Sequence, residues 1–244
     1  MTLHKITSDI FPENPDIWAR HLAEMIELEM LLMNLHLKGL SDNEFKLLGD
    51  SDFAGIPRLQ NMTTIKRREL LETAVITNSF LSIFRNLVVF IDKTLALHLA
   101  ASQSQKVPIG PIEDFQEFIE NFPIEEYISI SSNQRLNFPT KIKKLTSLPE
   151  RTSQRLLAYN KLRVAFEHND GIAKNDICFP ISTFEREGKQ TGYQKVIFRM
   201  DKPEIKEFLK GTKIHLKAHE VSLIAIDVKG WVIKDLLNAI LKLT

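Results

Sequence analysis

Cysteine is almost missing from this chain: Cys178 stands alone in 244 residues. A disulfide framework within the chain is therefore excluded, and a reducing compartment, the cytoplasm, is expected. Glycine is scarce, at 9 residues. Neither GxGxxG nor GxxxxGK occurs, which excludes a glycine loop that cradles nucleotide phosphates. An excess of one charge is missing as well. The formal net charge is +1, so no global field steers the protein to nucleic acid or anionic lipid, and an RNA partner has to be met by a local patch. The most apolar window, Phe80 to Ala101, is broken by Arg85, Asp92, Lys93 and His98, and a membrane span is not expected. Met1 to Trp18 has no apolar run of the secretory kind. There is no G-x-S-x-G elbow. Glu24, Glu27 and Glu29 lack the Glu-x-x-His pattern of di-iron bundles, and His215 and His219 lack a third ligand. No metal and no cofactor are expected.

What the chain does have is helical periodicity. With 43% apolar and 26% charged residues, it sits in the ordinary globular range. Leu22, Met25, Ile26, Met33 and Leu37 recur at helical spacing between Asp16 and Lys38, and Gly39 is the expected stop. A short helical turn is expected from Ser41 to Leu48 and a loop from Gly49 to Pro57. The longest helical pattern runs from about Thr63 to Ala101. On it Asn78, Arg85 and Asp92 are spaced by seven and share a face, which faces either solvent or a cleft. A connection from Ser102 to Pro111 leads to a short helix over Ile112 to Asn121, and a short strand is expected at Tyr127 to Ile130. Lys141, Lys143 and Lys144 read as a solvated basic turn. Pro149 opens the next helix, which ends near His168 before Gly171.

Beyond Gly171 the pattern changes. Ile177 to Phe184 and Tyr193 to Arg199 are β-branched and aromatic, and predict a hairpin with a polar loop. Pro180 suggests an edge position or a bulge. Asp201 and Pro203 predict the start of a helix that continues to Lys210. Val221 to Ile226 fits strand or helix equally. Asp227 is the expected cap of a last helix over Val228 to Leu243. The expected fold is mainly α: one domain over residues 1–244, a bundle of four to five long helices, with a β-hairpin insertion at about 177–199.

The chemistry concentrates in Leu162–Gly171, where Arg163, Glu167, His168, Asn169 and Asp170 fall together at a helix end. Arginine grips phosphate oxygens in a fork, and histidine exchanges a proton near neutral pH. Together they suit RNA cleavage without a metal, in which a base activates a ribose 2′-hydroxyl and a cation stabilises the phosphorane. Residues five apart on a helix differ by about 140°, so convergence of Arg163 and His168 requires the helix to unwind near His168.

Arg163 and His168, with four residues between them near the end of a late helix, match the R-x(4–6)-H motif of the HEPN superfamily. Phe80-Leu81-Ser82, then Ile91-Asp92 and Leu99-Ala100, match its preceding long helix. The chain resembles that superfamily over residues 63–172. The resemblance implies a helical bundle that forms a homodimer, often cleaves RNA and acts in toxin–antitoxin or phage-defence settings. It implies Arg163 and His168 as catalytic residues. Asn160, Glu167, Asn169 and Asp170 would bind substrate or orient that pair, and Asn78, Arg85 and Asp92 are candidates to face the cleft. The alternative expectation is a non-catalytic module of the same fold that binds RNA or a protein partner.

Overall fold

The computed structural model describes residues 15–41, 59–60, 62–103, 129–132, 136–187 and 195–241. The expected helical turn at 41–48, the loop at 49–57, most of the connection at 102–111, the helix at 112–121 and the tip of the hairpin lie outside these residues. The described elements are α1 (Pro15–Ser41), α2 (Thr64–Gln103), α3 (Phe138–Lys144), α4 (Glu150–His168), β1 (Ile177–Glu187), β2 (Lys195–Phe208), α5 (Ala218–Asp227), a π turn (Val228–Val232) and α6 (Ile233–Leu241). The fold is mainly α with one antiparallel hairpin, as the periodicity predicts.

α2 is the central strut. Phe80, Ile83, Phe84, Leu87, Phe90, Ile91 and Leu95 are buried along it, and α1, α4, α5 and α6 all pack against it. Burying each such side chain contributes about 1.5–3 kcal/mol. By length and composition Thr64–Ala96 is apolar enough to cross a membrane; in the fold much of that apolar surface faces its helical neighbours. On α1 the inward residues are Trp18, Leu22, Ile26 and Met33. Met25 is exposed, contrary to expectation, and Leu28, Leu31, Leu32 and Leu35 form a second, exposed apolar strip. Lys229 and Glu27 pair between the π turn and α1.

Several sequence expectations are corrected. Residues 129–132 are helical, so Ser129 and Ile130 do not form the end of the strand expected at Tyr127–Ile130; Tyr127 and Ile128 lie outside the described residues. The basic turn is a helix, α3, whose N-cap Asn137 accepts the Thr140 N–H at 3.0 Å. Lys141 is not solvated. It is buried and donates to Asp92 at 2.6 Å, which ties α3 to α2. Burial raises the Asp92 carboxyl above its ordinary 3.8, against the hydrogen bond and charge of Lys141.

The largest correction concerns residues 203–210. No helix forms there, and β2 runs on to Phe208. Ile177 pairs with Phe208 and Ile181 with Glu204, whereas Thr183 pairs with Arg199. Residues 200–203 are taken up by the irregularity between these pairs. Pro203 therefore sits at a bulge, where its missing N–H is tolerated. Pro180 lies in a two-stranded sheet, in which every strand is an edge. Alternation is visible in β1: Ile177, Phe179 and Ile181 are buried and Cys178 is exposed. The inner residues pack on α4 and α5, with Tyr159 and Phe179 edge to face at 5.6 Å. This half of the hairpin belongs to the main core.

Val221 to Ile226 is helix, and Asp227 is not a cap. α5, the π turn and α6 follow without a break, so Asp227 lies inside the helical run. It is 1% exposed. Its Oδ2 is 3.0 Å from Arg155 Nη1 and 3.4 Å from the Tyr159 hydroxyl, and its Oδ1 accepts from Ser182 Oγ. Burial raises the Asp227 carboxyl above 3.8, outweighing Ser182, Arg155 and Tyr159. Burial, followed by the charge of Asp227, holds the Tyr159 hydroxyl well above 10. Thr152 donates to Asp235, which joins α4 to α6.

His98 is also buried, 3.5 Å from Thr146 Oγ1. Burial pushes its imidazole below the ordinary 6.5, against the raising effect of the Ala239 and Lys144 backbone. The unfolded chain then binds the proton more tightly than the folded one. The contribution of neutral His98 is complete above pH 6.5 and is lost as pH falls below it. The stability difference between native protein and His98→Leu should therefore shrink in acid, by at most about 1.4 kcal/mol per pH unit. Urea denaturation between pH 7 and pH 5 measures it; a constant difference would refute the assignment.

Candidate functional site

α4 carries the site, and its two ends are set locally. Pro149 is the N-cap, one residue outside the expected position, with Glu150 in the first turn. At the other end the backbone turns left-handed at two successive residues, Asp170 with φ 51° and Gly171 with φ 76°. Aspartate tolerates that region better than most residues and glycine enters it freely. The Ala165 carbonyl accepts from Asn169 N–H at 3.1 Å and from Gly171 N–H at 2.9 Å, and Gly171 C=O accepts from Ile214 N–H at 2.7 Å. The turn is thus bonded both to α4 and to the segment before α5.

α4 is regular through His168. The unwinding needed to bring His168 beside Arg163 within one chain is not observed, because the Ala165 carbonyl holds the helix until Asp170 and Gly171 change its direction. The two side chains instead share a neighbour. Arg163 Nη1 donates to Glu167 Oε2 at 2.8 Å, His168 Nε2 lies 3.8 Å from the same oxygen, and Arg85 Nε on α2 lies 3.9 Å from Glu167 Oε1. Arg163 lies over the Phe84 ring at 5.9 Å, within cation–π range. Its Nε is buried and has no hydrogen-bond partner. The His168 side chain is 63% exposed. One carboxylate therefore gathers two guanidiniums and an imidazole at a helix end, an arrangement that suits exchange of the carboxylate for another oxyanion.

The other expected residues divide. Of the α2 face, Arg85 reaches this cluster, Asn78 is exposed, and Asp92 is committed to Lys141. Asp170 is exposed and serves the turn. Asn160 and Asn169 are not bonded to Arg163 or His168. Asn169 Nδ2 donates to the Val164 carbonyl at 3.2 Å. The Oδ1 atoms of both asparagines are buried without a partner. Both residues line a cavity of about 180 Å³ beside α4, with Lys161, Val164, Lys174 and Ile177. Lys161 and Lys174 were missed from the sequence. The signal for Lys174 was its place directly behind the turn at Gly171. Comparison of the chain with family models, with curated proteins and with solved structures finds no match.

Proposed function

We propose that this protein is an RNA-cleaving enzyme of HEPN type, working as a homodimer without a metal. The observation that supports the reading is the convergence of Arg163, Arg85 and His168 on the Glu167 carboxylate. A phosphodiester that displaces this carboxylate meets the same three groups. Arg163 would hold the scissile phosphate, with Arg85 as an outer cation. His168 would take the proton from the 2′-hydroxyl. The 2′-oxygen bonds to phosphorus, the bond from phosphorus to the 5′-oxygen breaks, and that oxygen leaves with the proton that His168 took up. The products are a 2′,3′-cyclic phosphate and a 5′-hydroxyl. A second copy that brings another α4 end into one cleft would add a further Arg163 and His168 to the site. The toxin or phage-defence setting remains part of the same proposal.

A second reading, a non-catalytic module of the same fold, draws on a different observation: Arg163 is already engaged by Glu167 and stacked over Phe84. The two separate in an assay of purified protein on mixed RNA in EDTA, comparing native chain, His168→Ala and Arg163→Ala. The nuclease reading expects cleavage by the native chain alone. Equal activity in all three, or none in the native chain, leaves the binding module.

A further inference from the structure

α1 carries apolar residues on two faces. Trp18, Leu22, Ile26 and Met33 are buried, and the helix packs on α2. Leu28 and Leu35 come two residues after Ile26 and Met33, about 200° round the helix, and are 48% and 54% exposed. Leu31 lies between them and is 55% exposed, and Met25 and Leu32 flank the line, also exposed. Apolar side chains that run together along a surface helix mark an interaction site, where scattered single ones do not. A glutamate precedes the leucines and a lysine follows them. Glu24, Leu28, Leu31, Leu35 and Lys38 are spaced by four, three, four and three, the repeat with which one helix lies along another. Both charged side chains are exposed, whereas Glu27 on the same helix is taken by Lys229.

We infer that this strip is a self-association surface, on which α1 of a second copy lies antiparallel. The order of the residues selects that occupant. With Leu31 on a two-fold axis, it meets Leu31 of the partner subunit. Leu28 then meets the partner's Leu35, and Glu24 meets the partner's Lys38. Each of the last two contacts occurs twice, as a two-fold interface requires. A parallel pairing in register sets glutamate against glutamate and lysine against lysine, so charge favours the antiparallel one. Met25 and Leu32 widen the apolar seam on one side. A standard interface buries about 800 Å² per partner. One helix face supplies less, so the dimer belongs at the weak end, with a Kd of about micromolar. The surface lies on α1, and the inference does not draw on the RNA-cleaving reading, which engages the end of α4.

The test is sedimentation velocity of the full chain over a roughly hundredfold range of concentration, in reducing buffer so that the exposed Cys178 forms no cross-link. The native chain should pass from monomer to dimer as concentration rises. Leu31→Glu sets two carboxylates face to face on the axis and should weaken the dimer at least about tenfold. Its side chain is exposed in the monomer, and circular dichroism checks that the fold is kept. The charges supply a second, independent set of variants. Glu24→Lys sets two lysines face to face and Lys38→Glu two glutamates, and each alone should weaken the dimer about fivefold. Together they restore opposite charges and should return the affinity to within about twofold of native. A native chain that stays monomeric, a dimer indifferent to Leu31→Glu, or charge reversals that do nothing singly or fail to rescue each other would overturn the inference. Cleavage is scored separately. A seam dimer that does not cut RNA keeps the inference and loses the nuclease reading. A chain that cuts RNA while its dimer ignores Leu31→Glu keeps the nuclease reading and loses the seam.

Discussion

Asp227→Ala should cost about 3–5 kcal/mol of folding stability, the range for breaking a buried ion pair by removing one partner. That is a large share of the roughly 5–15 kcal/mol available to a domain. The reason is that one carboxylate serves three elements: Arg155 and Tyr159 on α4, Ser182 on β1, and its own helix α5. Alanine leaves the buried Arg155 guanidinium without this carboxylate and deprives two hydroxyls of their acceptor. Tyr159→Phe, which removes a single 3.4 Å bond, should cost only about 1 kcal/mol. Removing both charges is a different matter, since an apolar pair of similar volume is often neutral. The double variant Arg155→Met with Asp227→Leu should therefore be more stable than Asp227→Ala. Urea denaturation measures all three; an Asp227→Ala protein within about 1 kcal/mol of native would remove this cluster from the account of the fold.

His168→Ala should lower RNA cleavage by about 10²–10⁴-fold, the usual contribution of a positioned acid or base. The same substitution should leave stability within about 0.5 kcal/mol of native, because the side chain is 63% exposed. That separation makes His168 the informative variant. Arg163→Ala is less clean: it also removes the stacking on Phe84 and the bond to Glu167, a loss of roughly 1 kcal/mol. Its activity should be compared at matched folded fraction. Single-turnover rates on a defined RNA give both numbers. Loss of activity in Arg163→Ala together with full activity in His168→Ala would leave a phosphate-binding site with some other base.

How far the sequence could be read depends on the range of the interactions involved. α4 was legible at both ends because Pro149 and Gly171 act locally, and α2 was legible because its pattern is long. The stretch 203–210 was not. Ile205, Phe208 and Leu209 fit a helical period as well as a strand, and pairing with Ile177–Ile181 decided between them. Val221–Ile226 was ambiguous for a related reason: a short apolar run buried on several sides has no period to read. Asp227 within that apolar context was the available hint of a buried partner, but Arg155 lies on a different helix, and nothing local connects the two. The same holds for Asp92 and Lys141.

At the site, the cluster of residue types was legible and its geometry was not. Asn160 and Asn169 are nine positions apart, about two and a half helical turns, which places them on opposite faces of an ideal helix. They line one cavity because α4 ends between them and Asn169 folds back onto the Val164 carbonyl. Glu167, expected to orient Arg163 and His168, is instead the point on which they and Arg85 converge.

The most direct test of the central proposal is the chemistry of the cut ends. RNA treated with the native chain in EDTA should carry 2′,3′-cyclic phosphates and 5′-hydroxyls, as attack by the neighbouring 2′-oxygen requires. A substrate with 2′-deoxyribose at the cut position should be left intact. Fragments that end in 3′-hydroxyl and 5′-phosphate, or cleavage of the deoxy substrate, would contradict the assignment of Arg163 and His168.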